Sequence, residues 1–161
     1  MVATGQPFSA SLHTAFKGLE QIWLSQKKWQ TNGMLPVFAI CIGASVGALS
    51  RWGLGLWLSP GGLIPWGTLA ANLLGGYLIG VVIAVFQSMP QLDPVWRLML
   101  VTGFLGGLTT FSTFSAEVVS YLLQARYSLA AATALLHVMG SLLMTAAGIK
   151  TATLFMATRI A

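Results

Sequence analysis

The sequence predicts an all-α membrane protein with four transmembrane helices, and two observations carry that prediction. Of the 161 residues, 56% are hydrophobic and only 7% are charged, with a mean hydropathy of +0.80, whereas soluble domains carry roughly a quarter charged residues. Four long apolar runs also follow one another, each able to supply the roughly 20 helical residues that cross a bilayer. They consume most of the chain, so no room is left for a soluble catalytic domain.

Residues 1–33 differ from the remainder and predict an N-terminal extension ahead of a four-helix transmembrane domain at 34–161. Lysines, serines and glutamines interrupt the apolar residues there. The stretch 14–29 fits an interfacial helix, with apolar side chains on one side and lysines on the other. A loosely ordered tail is the alternative, and Met34 offers an alternative first residue.

Charge and cysteine content exclude several classes of function. The net charge is +5, but the basic residues lie at the ends of apolar runs, where they anchor a helix to lipid headgroups, so we expect no nucleic-acid partner. Cys41 is the single cysteine, which excludes an internal disulfide, and no Cys/His cluster has metal-ligand spacing. No nucleophile, base and orienting group occur together, so the sequence does not predict an enzyme.

The first two spans each carry one polar residue of interest. In the first, at about 34–58, Arg51 follows Gly43 and Gly47 at one-turn spacing. Arg51 is either a snorkelling anchor or a cation at the mouth of an anion pathway. In the second, at 67–86, Asn72 lies on a glycine-rich packing face, where its amide either cross-links helices or offers its N–H groups to an ion.

The third apolar run, at 95–122, is too long for one uninterrupted crossing. Its three glycines, at 103, 106 and 107, predict a helix broken near Gly103 to Thr109 at membrane depth. Broken ends leave backbone carbonyls and amides without helical partners, and such groups commonly coordinate ions in transport proteins.

Two further features bear on the chemistry of the pathway. His137, Ser141 and Thr145 recur every fourth residue along the last span, at about 129–149, and form one polar line. Glu117 is the only acid within a span, and it is either a proton-relay group or a structural hydrogen-bonding group.

The sign of the transported ion follows from the candidate ligands. Phe111 and Phe114 share a helix face, and an aromatic ring presents a positive edge to a small anion. Arg51 adds positive charge. The remaining candidates are hydroxyl and amide donors, at Asn72, Thr110, Ser112, Ser115, Ser141 and Thr145. Donors and positive charge indicate an anion.

Three blocks of sequence resemble the small bacterial fluoride channels of the Fluc or CrcB family. They are GFLGGLTTFSTFSAE at 103–117, GTLAANLLGG at 67–76 and GASVGALSRW at 43–52, and the resemblance extends from about Met34 to the C-terminus. It implies a fluoride-selective channel that exports fluoride passively across the inner membrane and so reduces its toxicity. It also implies an antiparallel, dual-topology homodimer surrounded by lipid, with two pores and a central structural sodium ion that is not transported.

The resemblance also assigns residues. Gly106 and Thr109 would give backbone carbonyls to the sodium ion. Phe111 and Phe114 would face the pore, and Arg51 would be the vestibule cation. The remaining pore donors would be Asn72, Thr110, Ser112, Ser115, Ser141 and Thr145. His137 and Glu117 receive no settled role.

Charge balance bears on topology. One side of the membrane would carry Arg97, Lys150 and Arg159 and the other Arg51 and Arg126, a difference too small to fix orientation under the positive-inside rule. The lysines of the extension favour a cytoplasmic N-terminus. Two other functions remain open at this point: a proton-coupled exporter like the small multidrug resistance transporters, which depend on an acid in the first span, and a non-conducting scaffold subunit.

Overall fold

The structure is a computed structural model that describes residues 33–59, 61 and 65–158. The extension predicted at 1–33, apart from Gly33, therefore lies outside the described residues, as do the interfacial helix at 14–29 and Arg159. Within the described ranges every regular element is helical and there is no strand.

Seven helical pieces form four candidate spans. They are α1 Leu35–Leu58, α2 Trp66–Ser88, α3 Pro94–Arg97, a π-helical segment Leu98–Leu105, α4 Gly106–Leu108, α5 Phe111–Leu123 and α6 Tyr127–Ala157. The third span, Pro94–Leu123, contains the four short pieces, and the other spans are α1, α2 and α6. The described spans have the length and apolar composition to cross a bilayer, which confirms the prediction of a multi-pass, all-α membrane protein.

The last helix is longer than predicted. α6 has 31 residues and rises about 46 Å at 1.5 Å per residue, and it continues to Ala157 instead of ending near Ile149. Lys150 does not terminate it, because this lysine is exposed and a long side chain can carry its charge to an interface while its backbone remains helical.

The helices α2 and α6 form the most extensive pair. Their backbones come close at Gly76, where an added Cβ atom would lie 2.8 Å from the Ser141 carbonyl oxygen. A hydrogen bond of 2.9 Å between Tyr77 Oη and Thr151 Oγ1 also joins the pair. Gly76, on the glycine-rich face predicted in the second span, is therefore a point at which α6 packs closely.

The glycines of the third span are themselves helical. Gly103 lies in the π-helical segment, and Gly106 and Gly107 begin α4. A Cβ atom on Gly103 would lie 2.8 Å from the Ile40 carbonyl oxygen, and one on Gly107 would lie 2.5 Å from that of Ala44. Gly103 and Gly107 thus let α1 approach the third span closely.

A tight turn joins α5 to α6. Ala125 has a φ angle of 56°, in the left-handed region that favours glycine. The Arg126 N–H donates to the Tyr121 carbonyl at 2.9 Å, and the Ala125 N–H donates to the Leu122 carbonyl at 3.0 Å. This is the Schellman pattern of helix termination, with alanine in the position that is usually glycine.

Candidate functional site

The third span departs from helical geometry at two consecutive residues. Thr109 has φ −81° and ψ 154°, and Thr110 has φ −149° and ψ 117°. Both are extended, between the end of α4 and the start of α5. The Thr110 side chain caps α5 by accepting the Thr113 N–H at 3.2 Å, as N-cap threonines do.

Asn72 of α2 bridges this interruption. Its Oδ1 accepts the Thr110 N–H at 2.8 Å, and its Nδ2 donates to the Thr110 carbonyl at 3.1 Å. The amide therefore satisfies both backbone groups of one extended residue, which would otherwise lack partners. Nδ2 also lies 3.0 Å from His137 Nδ1, so both of its hydrogens are engaged.

The backbone carbonyls of Gly106 and Thr109 do not keep their α-helical partners. In a continuous helix, Gly106 would accept from the Thr110 N–H and Thr109 from the Thr113 N–H. Those two N–H groups donate instead to Asn72 Oδ1 and to Thr110 Oγ1. Two side chains thus compete with the helix and release two carbonyl oxygens at its break.

Thr109 is held from two sides. Its Oγ1 donates to the Leu105 carbonyl at 2.9 Å. Its methyl group lies against Gly75 of α2, in the space that a Cβ atom on that glycine would occupy. The side chain that orients the Thr109 carbonyl is therefore fixed by a hydrogen bond within its own segment and by contact with a neighbouring helix.

Arg51 reaches the same region from α1. Its Nε donates to the Gly107 carbonyl at 3.1 Å, and the side chain is half-buried. This contact gives Arg51 a role in holding the last turn before the interruption, in addition to the two roles that the sequence left open. Sequence reasoning had no signal for it, because the partners are 56 residues apart.

Three rings form a continuous ladder next to the interruption. The Phe111 and Phe114 centroids are 5.4 Å apart with an interplanar angle of 62°, an edge-to-face contact. Phe114 in turn stacks on His137 at 4.7 Å and 26°. Phe111 is 78% exposed and His137 is 5% exposed, so the ladder runs from the protein surface into its interior.

The ladder lines a cavity of about 490 Å³. Nine of the residues singled out from the sequence contribute to its wall: Asn72, Gly106, Thr109, Thr110, Phe111, Phe114, His137, Ser141 and Thr145. Arg51, Ser112, Ser115 and Glu117 do not line this cavity. The structure therefore places the interruption, the rings and the polar line of α6 around one space.

The hydroxyl groups differ in their freedom to donate to an ion. Ser115 donates to the Phe111 carbonyl at 2.8 Å, and Thr145 donates to the Ser141 carbonyl at 2.9 Å. Ser112 lies 3.2 Å from Thr110 Oγ1. The Ser141 hydroxyl makes no hydrogen bond to the described residues, so among these groups it is the one whose proton is uncommitted.

Glu117 lies at a second cavity, of about 530 Å³, whose wall also includes Thr113 and Arg126. Thr68 of α2 donates to its Oε1 at 2.6 Å. Its Oε2 is buried and has no hydrogen-bond partner among the described residues. Thr68 is 49 residues away, so no local pattern in the sequence indicated this partner.

Comparison of the sequence with known proteins identifies a family to which the chain is similar. The sequence model of the family described as "CrcB-like protein, Camphor Resistance (CrcB)" matches residues 38–149. A protein of Albidiferax ferrireducens named "Fluoride-specific ion channel FluC" is 70% identical over 124 residues, which cover 77% of this chain and 95% of that protein.

Other relatives with the same name show the same coverage. The protein of Variovorax paradoxus is 66% identical over 117 residues, or 73% of this chain and 94% of that protein. That of Nitrosomonas europaea is 54% identical over 123 residues, or 74% of this chain and 95% of that protein. Given the family match over most of the transmembrane domain and relatives this similar over nearly their whole length, the chain belongs to the CrcB-like family.

Proposed function

We propose that this protein is a fluoride-selective channel that exports fluoride passively across the bacterial inner membrane. The observation that carries the proposal is a cavity lined both by an edge-to-face phenylalanine pair and by Ser141, whose hydroxyl makes no hydrogen bond to the described residues. The positive edge of an aromatic ring attracts a small anion, and hydroxyl donors replace part of its hydration shell. The names of the relatives in the CrcB-like family agree with fluoride as that anion.

The release of two carbonyls supports a structural sodium ion held by the backbone of Gly106 and Thr109. Hard cations prefer oxygen ligands, and these two oxygens lack their α-helical donors because Asn72 and Thr110 take them. The donor set therefore fits sodium. When bound, the ion supplies a fixed positive charge that stabilises the break, and it is not transported.

An antiparallel homodimer would complete the pathway. Phe111 lines the cavity and is 78% exposed, and so large an exposed apolar ring favours a covering surface. A second copy would close the cavity and supply the other carbonyl pair to the sodium ion. The near-balanced basic residues of the transmembrane domain permit insertion in both orientations.

Passive efflux from proteoliposomes tests the function. Vesicles loaded with fluoride should release it when a potassium ionophore sets an inside-negative potential, with no proton gradient, and vesicles loaded with chloride should not release chloride at a comparable rate. Efflux that requires a proton gradient would favour the exporter instead, and silent vesicles would favour the scaffold subunit. Either result would overturn the channel.

A further inference from the structure

We propose that Asn72 is a positioning residue that keeps the proton of His137 on Nε2, so that this N–H is offered to the anion in the cavity. The proposal deepens the proposed function and rests on it. It gives His137, which the sequence left without a role, the function of a hydrogen-bond donor to the anion. Asn72 is then no longer a direct donor to the anion.

The first step is the orientation of the Asn72 amide. A backbone N–H can only donate a hydrogen bond and a carbonyl can only accept one. The Thr110 N–H, at 2.8 Å, therefore identifies the amide oxygen, and the Thr110 carbonyl, at 3.1 Å, identifies the amide nitrogen. Exchanging the two atoms would break both bonds, so the backbone at the interruption fixes which end of the amide faces His137.

The second step is the tautomer of His137. The Asn72 nitrogen has two hydrogens, of which one goes to the Thr110 carbonyl and the other to His137 Nδ1 at 3.0 Å. Nδ1 must then be an acceptor, and in a neutral imidazole the remaining nitrogen carries the proton. A proton on Nδ1 would point at the Asn72 N–H group, so two donors would face each other and the hydrogen bond would be lost. Asn72 therefore also favours the neutral ring.

The third step is the direction of the Nε2–H group. Nε2 has no hydrogen-bond partner among the described residues. A fully buried atom without a partner does occur among those residues, but it is Glu117 Oε2 and not Nε2. Nε2 is therefore accessible although the residue is only 5% exposed, and the cavity is the space that His137 lines. Stacking on Phe114 holds the ring plane. A donor without a partner among the described residues, one helical turn from Ser141, is suited to bind an anion.

The tautomer can be read directly by NMR on protein labelled with ¹⁵N-histidine. The chain contains two histidines, and His13→Gln removes the signal from the extension. His137 should show a protonated Nε2 and an unprotonated Nδ1, and titration with sodium fluoride should shift the Nε2 resonance more than the Nδ1 resonance. A proton on Nδ1 in the unaltered protein, or a fluoride shift confined to Nδ1, would overturn the proposal.

A double-mutant cycle separates this role from the effect of charge. Asn72→Asp keeps an acceptor for the Thr110 N–H but has no hydrogen for His137. At a pH at which the NMR spectrum shows a neutral ring, the proton should therefore lie on Nδ1, and the Nε2 lone pair should face the anion. In the otherwise unaltered protein, we expect Asn72→Asp to lower fluoride efflux about tenfold or more. In the His137→Gln variant, the same change should lower efflux only about threefold or less, because the glutamine amide can rotate to donate a hydrogen bond.

Other outcomes of the cycle are equally decisive. Repulsion by the aspartate charge acts on the anion in both backgrounds, so an equal loss of efflux in both would overturn the proposal. So would an Asn72→Asp variant that folds and whose neutral His137 ring keeps its proton on Nε2. If Asn72→Asp fails to fold, the tautomer of the unaltered protein still decides. The tautomer is measurable without conduction, so failure of the channel and failure of this proposal are distinguishable.

Discussion

The two halves of the third span face the same cavity with different parts of the chain. From Leu98 to Leu108 the residues that matter are small, and the backbone itself makes the contacts: Gly103 and Gly107 allow close contact with α1, and the Gly106 carbonyl lacks its α-helical donor. From Phe111 to Leu123 the groups that matter are side chains, namely a pair of phenylalanine rings and a run of hydroxyl groups.

This difference predicts how each half responds to substitution. At Gly103 and Gly107 in the first half, an added methyl group collides with the backbone of α1, so the damage is to packing and to the position of carbonyls. In the second half, a residue of similar volume leaves the packing intact but removes the group that would contact the anion under the proposed function. Asn72 joins the halves, because it binds the extended residue between them.

The largest effect should come from the ring pair. Phe111→Ile or Phe114→Ile keeps an apolar side chain but removes the positive ring edge, and losing an aromatic contact of about 1.5 kcal/mol corresponds to roughly a tenfold slower step. We expect fluoride efflux to fall at least that far, with the oligomeric state on size-exclusion chromatography unchanged.

Phe155→Ile is a matched control for this comparison. Phe155 is 74% exposed and lies at the far end of α6, so its replacement should leave efflux unaltered. Efflux at the unaltered rate from both pore variants would show that the second half does not act through its rings.

Packing at the extended residues between the two halves should respond to Gly75→Ala, a change on α2. The new methyl group would occupy the space of the Thr109 methyl, and overpacking of this kind costs about 1–3 kcal/mol. We expect a lower thermal unfolding temperature in detergent and a weaker dependence of stability on sodium, since the Thr109 carbonyl moves.

Gly53→Ala serves as the control, because a Cβ atom there meets no other atom within 4 Å. It should leave stability unchanged or raise it, since alanine favours a helix over glycine by up to about 1 kcal/mol. If Gly75→Ala behaves like Gly53→Ala, the contact with Thr109 does not hold the break.

A pair of variants at Arg51 tests whether its charge or its hydrogen bond matters more. Arg51→Lys keeps the charge but loses the Nε donor to the Gly107 carbonyl, and a hydrogen bond from a charged group contributes about 1.5–3 kcal/mol. Because Arg51 is only half-buried, we expect a loss at the lower end, measured by thermal unfolding, and of similar size for Arg51→Gln. A stable Arg51→Lys beside an unstable Arg51→Gln would assign the role to charge.

The smallest effect, and one outside both halves, should come from the turn after α5. Ala125→Gly relieves a left-handed φ of 56°, which costs a non-glycine residue roughly 1–2 kcal/mol, partly offset by the greater freedom of glycine in the unfolded chain. We expect a slightly higher unfolding temperature and unaltered efflux. A lower unfolding temperature would show that the alanine side chain makes a compensating contact.

Local patterns were enough to predict much of this protein. Hydropathy and run length determined the four spans, which the structure confirms, because a bilayer requires long apolar helices whatever the tertiary contacts are. The CrcB-like family was recognisable from three blocks of residues, and the family match confirms it. The i and i+3 spacing of Phe111 and Phe114 likewise indicated a shared face, because helical geometry alone brings such residues together.

The tertiary structure decided which polar groups are engaged. Asn72 meets Thr110 and His137, Thr68 meets Glu117, and Arg51 meets Gly107, and each pair is at least 38 residues apart. No local period encodes such contacts, because they arise only when separate helices pack. The sequence by itself determined that donors and rings occur in the third span, and it predicted a helix break near Gly103 to Thr109, where the glycines are helical and the extended residues are Thr109 and Thr110. Only the packing of α2 against the third span and α6 decided which donors are used internally and which are left for an ion.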